Sequence, residues 1–241
     1  MRPVVGLLLF LSMAAMCQEK TPSRLELPLE QRLETPQPVA GASIRLTDFT
    51  SFIATAFKVP LLVETPAAIP DVIIPKGTYS ARQLLDLAVR QLHEFAWKDE
   101  NGVAHLYHRD LVNSTGNILN VRIRRFAFPG NVAEFLYYFR PCISATVRGY
   151  DCEWGGFLRI QPADLKRERL PYLKPFKDES ARTILLTALK DSGRFYVLIA
   201  FESTRPKLTS DYSYLNWFSQ SLVPPEPGPI WVQRPKKMKG R

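Results

Sequence analysis

Ser80-Ala81-Arg82-Gln83-Leu84-Leu85-Asp86-Leu87-Ala88-Val89, leading on to Phe95, returns later in the chain as Ser180-Ala181-Arg182-Thr183-Ile184-Leu185-Leu186-Thr187-Ala188-Leu189, leading on to Phe195. Apolar residues recur at Ala81, Leu84, Leu85 and Ala88 in the first stretch and at Ala181, Ile184, Leu185, Ala188 and Leu189 in the second, so each lines one side of a helix. The phase is kept throughout. A supersecondary unit used twice is the reading this supports, and the stretch carries no catalytic motif.

Around the first copy the chain reads as one α/β unit over residues 43–110. A strand ends near Ile44 to Leu46, with Thr47 or Asp48 placed to cap a helix whose apolar face is Phe49, Phe52, Ile53, Ala56 and Phe57. Pro60 stops that helix, and the β-compatible run Leu61-Leu62-Val63 follows. A loop bracketed by Pro66 and Pro70 leads to a short strand, Val72-Ile73-Ile74, and the turn Pro75-Lys76-Gly77. Thr78 or Ser80 then caps the second helix, whose stripe continues to Leu92 and Phe95. Last comes a hairpin with Phe95-Ala96-Trp97 and Val103 to Tyr107 as arms and Asp99-Glu100-Asn101-Gly102 as its turn, Asn-Gly being a strong hairpin signal.

This order, strand, helix, strand, strand, helix, strand, strand, resembles the short N-terminal (STN) domain shared by secretins and TonB-dependent receptors. The residues that carry the resemblance are 48–63, 72–77, 80–92 and 95–107. The family often has glycine where Lys58 ends the first helix, and neither a secretin ring nor a barrel follows. The resemblance therefore implies docking or assembly, without pore formation.

The second copy sits in a longer stretch, residues 117–222. Asn120 to Phe128 reads as a strand, Pro129-Gly130 as a turn, and Val132, Phe135, Leu136 and Phe139 as a third helix. An insertion at 140–175 precedes the repeated helix, which Gly193 is placed to end. Phe195 to Phe201 is strongly β-prone, and 211–222 is expected to form a helix or strand covering the core. The fold expected is thus α+β, two small sheet-plus-two-helix modules, the second enlarged.

Residues 1–17 have a basic start (Arg2), a leucine-rich apolar run and small residues near Ala14 and Ala15, the layout of a secretory signal peptide. The run is about 13 residues against the ~20 of a spanning helix. Soluble export to the periplasm or medium is favoured over an outer-membrane lipoprotein anchored at Cys17, since Met16 is bulky for the position before a lipidated cysteine. Residues 18–42, rich in proline, read as an extended linker. The tail at 223–241 is proline-rich and then basic, and Arg234, Lys236, Lys237, Lys239 and Arg241 supply much of the formal charge of +9. Such a tail suits an acidic wall polymer or a solvated end; no nucleic-acid partner is expected.

Cys142 and Cys152 are the cysteines left once Cys17 is removed with the leader, and in an oxidising compartment they favour a disulfide contributing roughly 2–4 kcal/mol. His93, His105 and His108 do not read as a metal site, because positions 105 and 108 of a strand point to opposite faces. Asp151, Glu153 and Asp164, close to Trp154, would suit a glycosidase only if two of them faced each other across a cleft. Tyr150, Trp154, Trp217 and Trp231 are the aromatics best placed for protein or glycan contacts, core or cover packing being the other reading of each. No cofactor motif is present. The expectation is a non-catalytic envelope protein that binds secretion, pilus or receptor components, with wall or glycan binding through the insertion and tail as the alternative and a wall-polymer hydrolase behind it.

Overall fold

The computed structural model describes residues 27–126, 139, 142–143, 146–148, 176–208 and 215–222. The protein is α+β. In chain order the described elements are α1 (Leu29–Glu34), β1 (Gln37–Val39), β2 (Ala42–Arg45), α2 (Leu46–Phe57), β3 (Leu61–Pro66), β4 (Asp71–Ile74), β5 (Gly77–Tyr79), α3 (Ala81–Gln91), β6 (Phe95–Glu100), β7 (Val103–His108) and α4 (Arg109–Val112). A short 3-10 turn, Ile118–Asn120, follows, then β8 (Arg122–Phe126), β9 (Phe176–Ser180), α5 (Ala181–Ser192), β10 (Phe195–Phe201) and β11 (Leu215–Ser221).

The central sheet has five strands in the order β11-β10-β3-β7-β6. Its inner pairs, β10 with β3 and β3 with β7, are parallel, and its outer pairs are antiparallel. Three two-stranded ribbons, β1-β5, β2-β4 and β8-β9, stand beside it. Side chains alternate across the sheet. Leu61, Val63, Ala104, Leu106, Tyr196 and Leu198 join the apolar residues of α1, α2 and α3 on one face. Leu62, Val103, Val197, Ile199 and Phe201 meet α5, Leu111, Ile118, Leu119 and β8 on the other, together with Phe139, Cys142 and Ile143.

The expectation that residues 43–110 and 117–222 each carry a sheet of their own is corrected here, because β10 pairs with β3 from Tyr196↔Leu61 to Phe201↔Pro66. All seven residues of β10 are buried, and a strand apolar on both sides needs neighbours at both edges and a layer on both faces. Strand β3 supplies one edge, β11 the other. The local order strand, serine cap, helix, strand occurs at both β5-α3-β6 and β9-α5-β10, yet the two helices lie on opposite faces of one sheet.

The linker expected at 18–42 is corrected over its described part. Leu29, Leu33 and Val39 are buried in the core, and β1 pairs with β5 from Gln37↔Tyr79 to Val39↔Gly77. Arg32 reaches across from α1 to donate to the carbonyls of Lys58 (2.7 Å) and Gly193 (3.0 Å). Those two residues close α2 and α5 in the left-handed conformation, with φ of 57° and 58°. One guanidinium thus ties together helix ends that belong to the two faces. Helix α2 starts at Leu46 rather than after Thr47 or Asp48, and its N-cap Arg45 makes no side-chain cap.

Both repeated helices are capped by serine. The Ser80 hydroxyl accepts from the Gln83 amide, and the Gln83 side chain returns to the Ser80 amide, a complete capping box; Ser180 accepts from the Thr183 amide. Ser80→Ala is expected to lower folding stability by about 1–2 kcal/mol and Ser180→Ala, nearer solvent, by about 1 kcal/mol, read as midpoints of urea unfolding.

Candidate functional site

On the face covered by α5, the alternation of β3 that buries Leu62 also buries Glu64, with no exposed surface. A lone carboxylate there would be costly. Four donors meet it: Arg182 Nε to Oε1 at 2.6 Å, Arg182 Nη2 to Oε2 at 2.9 Å, Asn117 Nδ2 to Oε2 at 2.7 Å and His105 Nε2 to Oε1 at 3.0 Å. Arg182 enters from the first turn of α5 and also donates to Asn120 Oδ1. Asn117 is held in turn by Leu111 O at 3.0 Å and by the Leu119 amide donating to its Oδ1. His105, on β7, donates through Nδ1 to Glu100 at the end of β6, and Glu100 is salt-bridged to Lys98 at 2.6 Å. A hydrogen-bonded line therefore runs from Glu64 in the core through His105 to Glu100, which is 23% exposed.

Burial alone pushes Glu64 upward, but the hydrogen bonds from Arg182 and His105 prevail and hold its pKa at about 2. Glu100 behaves alike: burial raises it, and the bonds from His105 and Lys98 bring it to about 2. Burial disfavours a charged His105, yet its two carboxylate neighbours raise its pKa above the ordinary 6.5. Geometry supports this. Ionised carboxylates only accept, so a ring bonded to one on each nitrogen must donate from both, as an imidazolium does.

Beside the cluster a cleft of about 730 Å³ opens between β6 and α5, lined among others by Lys98, Glu100, Tyr107, Arg109, Asn120, Arg182 and Thr183. Arg182 is shared: its guanidinium seals the buried cluster and forms part of the cleft wall. The cluster can hold a proton on His105, fix α5 to the sheet and present cations at the cleft.

The residues singled out from the sequence fare unevenly. Cys142 is buried and disulfide-bonded. Its partner, with Cys17, Cys152, Tyr150, Asp151, Glu153, Trp154, Asp164, Trp231 and the tail Arg234, Lys236, Lys237, Lys239 and Arg241, lies outside the described residues, as does the helix expected on Val132, Phe135, Leu136 and Phe139 except for Phe139 itself, which is helical and buried. Trp217 lies on β11 opposite Ile199. His93 is exposed in the turn after α3. His105 belongs to the cluster, whereas His108 faces the other core edge-on to Phe95, ring centroids 5.2 Å apart. Among the described residues no group of three or more metal-ligating side chains gathers, and no helix is long and apolar enough to cross a membrane. Glu64, Glu100, Asn117, Asn120 and Arg182 were not legible as a site. The available signal was Glu64 itself, a carboxylate directly after Leu61-Leu62-Val63. No family model, curated protein or solved structure matches the chain.

Proposed function

We propose that this is an exported, non-catalytic docking or assembly module of the bacterial cell envelope, serving secretin-, pilus- or TonB-type machinery by adding a partner's strand to the outer edge of β11. Two observations support the reading. Over residues 42–108 the elements run strand, helix, strand, strand, helix, strand, strand, with β5 as an extra short strand before the second helix.

The observation that carries the reading is the contrast between the sheet's two edges. Strand β6 carries Lys98, Asp99 and Glu100, and a charged edge resists pairing with foreign strands. Strand β11 reads Leu215-Asn216-Trp217-Phe218-Ser219-Gln220-Ser221, seven residues without a charge. Its outer side is unpaired among the described residues, and Phe218 is 50% exposed. An uncharged edge beside an exposed aromatic is what strand addition uses: backbone bonds give affinity, and alternate side chains give specificity.

A photo-crosslinking residue at Ser219, activated in the native envelope, tests this. Recovery of a secretion, pilus or receptor component is expected, and Phe218→Lys, which puts a charge on the edge at a half-exposed ring resting on Tyr196 (centroids 5.7 Å apart), should cut recovery about tenfold while the chain still unfolds cooperatively in urea. Recovery of wall fragments alone would defeat the docking reading and put glycan binding in its place.

A further inference from the structure

The cleft lies at the β6 edge, opposite the edge assigned to docking, and its chemistry points to a different class of ligand. Lys98, Arg109 and Arg182 line it, with Glu100 as its one lining carboxylate. Glu100 is already matched by Lys98 and His105, and Glu64 behind it by Arg182 and His105. With His105 protonated, these six groups carry four positive and two negative charges, and the lining itself has three cations against one carboxylate.

The donors that could use this charge are identifiable. Arg109 spends only its Nε, on Phe95 O at 3.3 Å, and neither terminal nitrogen has a hydrogen-bond partner among the described residues. The Tyr107 hydroxyl likewise has none there, while its ring is engaged by Lys98 at 5.5 Å and by His105 at 4.8 Å. Val112 and Leu186 give the lining its apolar part. A volume of about 730 Å³ lies in the range of small-molecule sites and is far larger than a bare ion needs.

We infer that the cleft between β6 and α5 binds a small organic molecule carrying a carboxylate or phosphate, the oxyanion taken by Arg109 with Tyr107 and Lys98 and the apolar body lying against Val112 and Leu186. Arg182 is committed to Glu64 and acts as a fixed cation behind the site.

Benzoate and phenyl phosphate titrated into the full chain, with amide chemical shifts as the readout, test this, and benzamidine serves as the cationic counterpart. Saturable shifts at Lys98, Tyr107 and Arg109 with either anion are expected, and the tighter of the two identifies the oxyanion. Arg109→Gln should weaken binding about tenfold or more, the loss of a charge-assisted hydrogen bond. Tyr107→Phe, which removes a hydroxyl with no hydrogen-bond partner among the described residues, should weaken it severalfold. The inference is overturned if neither anion saturates, if benzamidine binds as well as benzoate, or if both variants bind like the parent.

Discussion

Replacing Arg182 with methionine is expected to remove about 3–5 kcal/mol of folding stability, the cost of leaving a buried charge without its partner. Glu64 has no solvent to turn to, and Arg182 supplies two of its four hydrogen bonds. The pair also joins residues 118 apart in the chain, binding α5 to the sheet strand that the earlier half contributes. Methionine keeps the length and apolar stem of arginine, so the loss reports charge and hydrogen bonding more than packing. Adding Glu64→Gln to Arg182→Met should recover a good part of it, since a neutral amide can still bond Asn117 and needs no cation.

Arg82, at the matching position of the earlier helix, is the internal control. It pairs with Glu30 at 2.8 Å and with Glu34, carboxylates 63% and 51% exposed, so Arg82→Met should cost under about 1 kcal/mol. Urea unfolding of the two single variants and the double decides the matter. Equal, small losses from Arg182→Met and Arg82→Met would mean that water reaches Glu64 and the cluster is not sealed.

These two arginines also show how far the sequence could be read. Helices α2, α3 and α5 and the β6-β7 hairpin were legible, because apolar period, serine caps and Asn101-Gly102 are local signals. Asn101 and Gly102 indeed take positive φ, 55° and 89°. Helix α1 escaped, since six residues give too little period to read and its prolines suggested a spacer. The seven-residue run of β10 announced a strand, but nothing in it named β3 as its neighbour or showed that both its faces are buried. The site was hidden for the same reason. Ser80-Ala81-Arg82 and Ser180-Ala181-Arg182 are identical as words, and only the face of the sheet on which each helix settles decides that one arginine meets solvent-exposed glutamates and the other a buried one.

The cluster should also give the protein a stability maximum on the acid side of neutrality. Glu64 has its pKa lowered from the ordinary 4.5 to about 2. Its contribution is therefore full above pH 4.5 and disappears as pH falls toward 2, a loss of about 3 kcal/mol at 1.36 kcal/mol per unit. Glu100 shifts in the same direction and adds to this acid limb, by less because it is partly solvated. His105 has the opposite sign. Its pKa is raised above the ordinary 6.5, so its contribution is complete below 6.5 and is lost as pH rises through the raised value.

The two limbs leave greatest stability between about pH 4.5 and 6.5, and unfolding midpoints measured across pH should trace that maximum. The double variant Glu64→Gln with Arg182→Met separates the contributors. It should flatten most of the acid limb while retaining the part that belongs to Glu100. It should also weaken the alkaline limb, because His105 would then face one carboxylate instead of two. An acid limb unchanged in that variant would assign the effect to carboxylates elsewhere. An alkaline limb unchanged would mean that Glu100 alone sustains the imidazolium, and that the line from core to cleft is broken at His105.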